Sequence, residues 1–238
     1  MSHLYLQNLQ RTATFTLVIA TLLAASAAQA VTLNKTFTSE AYLDTFLGGT
    51  TVAVRPELAG IVIEDDIQAF SFAGVFGTVQ NRVVREDGTG TLDFSWRINV
   101  DPASTGNVSA FRLADFDYDQ ITDADWRIDG LPVAPDPFAV PVTGRVFNPA
   151  SYPDGAINFL FPDPPIGPGA GSKFFFLHTT ATNYLKTASY DLLCAPSGCL
   201  SDSYSTFTPA AVPAPATFGL MALGLSALGA ARMRRRRA

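Results

Sequence analysis

The chain has 238 residues, of which 47% are hydrophobic and 16% charged, a balance that excludes an intrinsically disordered protein. The formal net charge of −5 conceals an uneven distribution: apart from Arg11 and the C-terminal Arg232, Arg234, Arg235, Arg236 and Arg237, 10 basic residues face 21 acidic ones. The body between 31 and 211 is therefore strongly acidic and would repel phosphate backbones, so no nucleic-acid partner is expected. Eighteen Phe, 18 Gly and 16 Pro favour strands and turns over helices.

Residues 1–30 read as a secretory signal peptide. Arg11 supplies the n-region charge, Thr14 to Ala25 form an apolar stretch, and Ala28-Gln29-Ala30 is a small-x-small cleavage site. The expected partners at this end are the Sec translocon and signal peptidase, and the body is expected outside the cytoplasm. The apolar stretch is well short of the ~20 residues that a membrane span needs.

In chain order, the body predicts strands at Val31–Thr38, Thr50–Val54, Gly74–Arg85, Thr91–Val100, Val108–Leu113, Ala156–Phe161, Lys173–Thr180 and Tyr184–Leu193. The clearest is Thr91–Val100. Leu92, Phe94, Trp96, Ile98 and Val100 alternate with Thr91, Asp93, Ser95, Arg97 and Asn99, the pattern of a strand with one buried face. The Gly-rich stretch Glu86-Asp87-Gly88-Thr89-Gly90 before it signals a hairpin. Pro and Gly crowd 131–171, which reads as loop, and Thr206–Pro215 reads as extended. Short strands between turns predict an all-β domain over 31–205, a single antiparallel β-sandwich of immunoglobulin-like or jelly-roll-like type. A spacer over 206–211 follows it. A hydrophobic segment over 212–238 completes the chain.

The acidic run Asp115-Phe116-Asp117-Tyr118-Asp119-Gln120-Ile121-Thr122-Asp123 places Asp115, Asp117, Asp119 and Asp123 at positions 1, 3, 5 and 9 of a calcium loop. Ca²⁺ is thus the one cofactor the sequence suggests. Position 6 is Gln120 instead of Gly, and position 12 is Trp126 instead of a bidentate Glu. A strand with Phe116 and Tyr118 turned inward is therefore the favoured reading. If the calcium loop formed, Trp126 beside it would give a lectin-like, calcium-assisted carbohydrate-binding module, the alternative function. Trp96, on the apolar face of its strand, reads as core.

His178 is the one histidine of the body and reads as a packed or surface residue. With no Gly-x-Ser-x-Gly, a Ser/His/Asp triad has little support. The acidic residues offer many carboxylate pairs, none singled out, so no enzyme is expected. Cys194 and Cys199, the two cysteines, flank Ala195-Pro196-Ser197-Gly198 and predict a disulfide in an oxidising compartment.

The C-terminus combines three features. Val212-Pro213-Ala214-Pro215-Ala216-Thr217 precedes an uncharged stretch to Ala231, and the Arg cluster closes the chain. As a helix, Ala216–Ala231 would reach ~24 Å at 1.5 Å per residue, marginal against a hydrocarbon core of ~30 Å. By the positive-inside rule the five Arg keep this end cytoplasmic, in agreement with the signal peptide. This tail resembles the PEP-CTERM sorting signal of Gram-negative bacteria, with Ala214 where the family carries Glu. The segment Gly167–Tyr184 also resembles the last third of many exosortase-substrate ectodomains. The resemblance implies an exported, non-catalytic cell-surface or extracellular-matrix protein. It would be the substrate of an exosortase, a membrane-embedded cysteine transpeptidase, anchored in the inner membrane through a transmembrane helix in transit. It also implies a link to exopolysaccharide, biofilm production and possible polysaccharide partners.

Overall fold

The structure is a computed structural model and describes residues 45–129, 138–139, 142–148, 152–161, 164–195 and 198–210. The expected signal peptide (1–30), the expected strand Val31–Thr38 and the whole tail from 211 onward lie outside the described residues.

Among the described residues, thirteen strands form two facing sheets: β1 (Thr45–Phe46), β2 (Gly60–Phe72), β3 (Val75–Glu86), β4 (Leu92–Val100), β5 (Asn107–Ala114), β6 (Ile121–Trp126), β7 (Phe138–Ala139), β8 (Val142–Asn148), β9 (Tyr152–Leu160), β10 (Gly171–Ser172), β11 (Phe175–Thr179), β12 (Tyr184–Ala195) and β13 (Tyr204–Pro209). One sheet runs β1-β8-β9-β5-β12-β13. The other runs β2-β3-β4, after which the free edge of β4 is shared by β10, leading to β7, and by β11, leading to β6. Pairing is antiparallel except between β10 and β7. The protein is an all-β sandwich, as its alternating patterns require.

The core lies between the sheets. Leu92, Phe94, Trp96, Ile98 and Val100, the apolar positions of β4, all enter it. The Trp96 ring centroid lies 5.4 Å from Phe111 and 6.2 Å from Phe159 on the opposite sheet, and 6.1 Å from Phe175 beside it. Its indole N–H donates to Thr206 Oγ1 at 2.9 Å, and that hydroxyl donates to Asn81 Oδ1 at 3.0 Å. All three residues are buried, so this chain of hydrogen bonds satisfies polar groups that solvent cannot reach. At one side, Tyr184 O–H donates to Glu64 Oε1 at 2.5 Å and Lys186 Nζ bonds Asp66 Oδ2 at 2.7 Å, joining β12 to the edge strand β2.

Several expectations need correction. In the expected strand Thr50–Val54, Thr50 makes an isolated parallel bridge to Arg127, but the chain then turns, closed by Val54 N–H and Arg55 N–H on the Thr51 carbonyl, and leads into a 3-10 turn at Pro56–Leu58. Proline at its start and the Thr51 hydroxyl, which also accepts from Val54 N–H, favour the turn. The long strand β2 escaped the pattern because it is an edge strand with one largely exposed face. Glu64-Asp65-Asp66 interrupts its apolar residues, a device that blunts pairing with other chains. Its hairpin to β3 turns on Ala73 and Gly74, both with positive φ (45° and 77°), the primed turn that suits strand twist. The Pro/Gly-rich 131–171 contains β7, β8 and all of β9, which starts four residues before the expected strand Ala156–Phe161. Residues 206–209, expected as spacer, complete β13, where Thr206, Phe207 and Thr208 are buried.

The expected disulfide is formed: Cys194 and Cys199 are joined across a Cα–Cα distance of 5.1 Å at the end of β12. It closes a very short loop, so replacing both cysteines by alanine is expected to cost on the order of 2 kcal/mol in urea unfolding and to leave the fold intact. Thr206→Val keeps the shape of its side chain and strands the Trp96 N–H. We expect it to cost about 1–3 kcal/mol in the same measurement, whereas Thr208→Val, outside that hydrogen-bond chain, should cost less.

Candidate functional site

β4 is covered on both faces. Asp93 and Ser95, on the side away from the core, are 4% and 7% exposed. The register explains what surrounds Asp93. It pairs with Val84 of β3 on one side and His178 of β11 on the other, and His178 pairs in turn with Asp123 of β6. Asp93, His178 and Asp123 therefore stand in one row across three strands, on the outer face of the sheet. Residues 47–59 run beside this row. Arg55 binds Asp123 through both terminal nitrogens, at 2.9 and 3.2 Å, and its Nε holds Glu57 Oε1 at 2.8 Å.

Glu86 enters from the end of β3, where the hairpin loop bends away. Its Oε2 accepts hydrogen bonds from the hydroxyls of Thr89 and Thr91, the latter at 2.6 Å, both supplied by the loop. Its Oε1 points at His178, 2.9 Å from Nδ1. The same Nδ1 lies 2.8 Å from Asp93 Oδ1, and the hydrogen-bond direction favours Asp93. One ring nitrogen carries one proton, so Glu86 Oε1 is buried with no donor of its own. Glu86 is 2% exposed, and the His178 side chain 16%.

Burial pushes the Asp93 carboxyl up to about 6, although its hydrogen bond to His178 works in the opposite direction. Burial disfavours a charged His178 as well, but the hydrogen bond and charge of Asp93, with Asp123 and Glu86 beyond, outweigh it and raise the imidazole above its ordinary value. Asp125, next on β6, is also raised by burial, while its Oδ1 accepts from the Gly49 and Trp126 backbone N–H groups.

The residues singled out in the sequence fall elsewhere. Asp115 sits at positive φ and accepts from Ser189 Oγ at 3.0 Å. Asp117 accepts from Asp119 N–H and Gln120 Nε2, starting the 3-10 turn Tyr118–Gln120. Asp123 belongs to β6 and is committed to Arg55. The four aspartates of the calcium pattern are thus not gathered around one point. Among the described residues, the group of carboxylate and imidazole atoms close enough to share an ion is Glu86, Asp93 and His178. Trp126 is half-buried against Gly49, its indole donating to the Leu47 carbonyl at 3.1 Å. The residues Val212–Thr217, expected as a sorting motif, and the terminal arginines lie outside the described residues. Among the described residues, no helix is long and apolar enough to cross a membrane. Glu86 and Asp93 carried no signal in the sequence, because only the strand order brings them to His178.

Comparison with protein-family models, with curated proteins and with solved structures finds no match.

Both Asp93 and His178 hold protons more tightly folded than unfolded, so folding takes up protons here. Their contribution to stability is complete below the ordinary values of 3.8 and 6.5, and it is lost as pH rises through about 6 and beyond. In chelator-treated protein, the thermal midpoint of the wild type relative to Asp93→Asn is expected to fall between about pH 5 and 8. A difference that is constant or grows across that window would contradict the assignment.

Proposed function

We propose that this chain is an exported, non-catalytic surface or matrix protein whose C-terminal segment is handled by an exosortase-type sorting enzyme. The observation that carries this reading is the order of features at the end of the chain: Val212–Thr217, an uncharged stretch, then Arg232 and Arg234–Arg237. The chemistry at the tail belongs to the partner enzyme, and this chain supplies the substrate. The Cys194–Cys199 disulfide supports delivery to an oxidising compartment, where such bonds persist. The body supports a folded module that resists edge-to-edge pairing, since its edge strand β2 is charged and tied to β12. In the body, the His178 ring is bracketed by two carboxylates, and the neighbouring Thr89 and Thr91 hydroxyls are engaged with Glu86. That arrangement favours a binding or structural part over a hydroxyl nucleophile activated by histidine.

The intact mass of protein recovered from its native cell envelope or medium tests the proposal. The expected mass lacks residues 1–30 and everything beyond about Val212–Thr217. A mass that retains the Arg cluster would replace sorting with a plain membrane anchor.

A further inference from the structure

We propose that Glu86, Asp93 and His178 form a binding site for one first-row divalent cation, with zinc the best match. Three groups from three elements meet there: the end of β3, the second residue of β4 and the fourth of β11. Their ligand atoms all lie within 4.8 Å of one another, with Nδ1 of His178 2.8 Å from Asp93 Oδ1 and 2.9 Å from Glu86 Oε1.

Two observations point to a ligand beyond the proton now shared. The first is Glu86 Oε1, an acceptor inside the protein with no hydrogen-bond partner, aimed into the cluster. Leaving such an oxygen unsatisfied is costly, and a cation satisfies it directly. The second is charge. Arg55 is already bonded to Asp123 and Glu57, so among the described residues two buried carboxylates depend on a single histidine proton. A divalent ion bound to both carboxylates and to neutral imidazole balances the site and releases that proton.

The donor set selects the class of ion. One imidazole nitrogen with two carboxylate oxygens suits zinc and its first-row neighbours, whereas calcium takes oxygen ligands only. Zinc held about 2.0–2.2 Å from each ligand would space them by roughly 3.3–3.5 Å. The two short separations therefore open by about half an ångström when an ion replaces the proton. Part of the outer shell is already in place, on Glu86 and on the backbone of His178. Thr89 and Thr91 hold Glu86 by its far oxygen, and the Thr122 hydroxyl donates to the His178 carbonyl at 3.0 Å. Three protein ligands leave a fourth position for water, and the partial exposure of His178 gives the ion a way in.

The test uses the full chain in mild detergent, stripped with chelator and dialysed against Zn²⁺ as the sole added cation. About one zinc per chain is expected. Glu86→Gln and His178→Gln should each weaken retention by at least roughly tenfold, and Asp65→Asn, an exposed carboxylate on β2, should match the wild type. Because the site variants could fail to fold, the wild type is also followed by NMR of its two labelled histidines, His3 and His178. Saturating Zn²⁺ is expected to remove the Nδ1 proton of His178 and shift that nitrogen to a metal-bound position. The proposal is overturned if no zinc is retained, if both site variants fold and retain it unchanged, or if His178 Nδ1 keeps its proton at saturation.

Discussion

The sandwich depends on one contact between its sheets: Trp96 of β4 packed against Phe111 and Phe159 of the opposite sheet, with its N–H passed to Thr206. A large aromatic side chain supplies much of the buried apolar area at such a centre, and its polar atom must find a partner in the same place. Thr206 comes from β13, the last strand described, and passes the hydrogen bond on to Asn81 of β3. The Trp96 N–H therefore has its partner only when β13 is docked against the core. Strands distant in sequence are held by the same few atoms, and a one-residue slip of β4 would turn Trp96 out of the core.

The same register sets the other face. With Trp96 fixed inward, Asp93 is fixed outward, and antiparallel pairing with β11 places His178 beside it and Asp123 one strand further on. A carboxylate on the outer face of a sandwich is ordinarily solvated. Here it is covered, and burial raises the energy of its charged form, moving the carboxyl up to about 6. The hairpin loop from β3 to β4 then delivers Glu86 to the same point, with Thr89 and Thr91 fixing which of its oxygens faces His178. Core and polar cluster are two consequences of one pairing scheme.

Burying two carboxylates around one imidazole costs stability unless the charges are compensated. The neighbouring pair shows the compensated form: Asp123 is matched by the guanidinium of Arg55, which also holds Glu57. Among the described residues, no guanidinium or ammonium group gives Glu86 and Asp93 that match. A domain stabilised only by its core would gain nothing from such an arrangement, and apolar residues in its place would pack at less cost. The contrast between a satisfied ion pair and a proton-bridged cluster on the same face is what distinguishes this region from the rest of the domain.

The amino-acid sequence by itself determined the class of the domain and the fate expected of its ends. Period-two alternation in Leu92–Val100, the Asp-Gly hairpin before it and the spacing of Cys194 and Cys199 are local signals, set by backbone geometry and chain closure over a few residues. β2 was illegible because an exposed edge strand need not alternate, and β13 because a Pro- and Ala-rich neighbourhood hid its buried threonines. The spacing of Asp115, Asp117, Asp119 and Asp123 resembled a site, yet the 3-10 turn after Asp117 and the Arg55 pairing of Asp123 send those side chains in different directions. Only the tertiary structure decided that Glu86, Asp93 and His178 meet. Residues 85 positions apart come within hydrogen-bond distance through strand order, and no local pattern encodes which strands become neighbours.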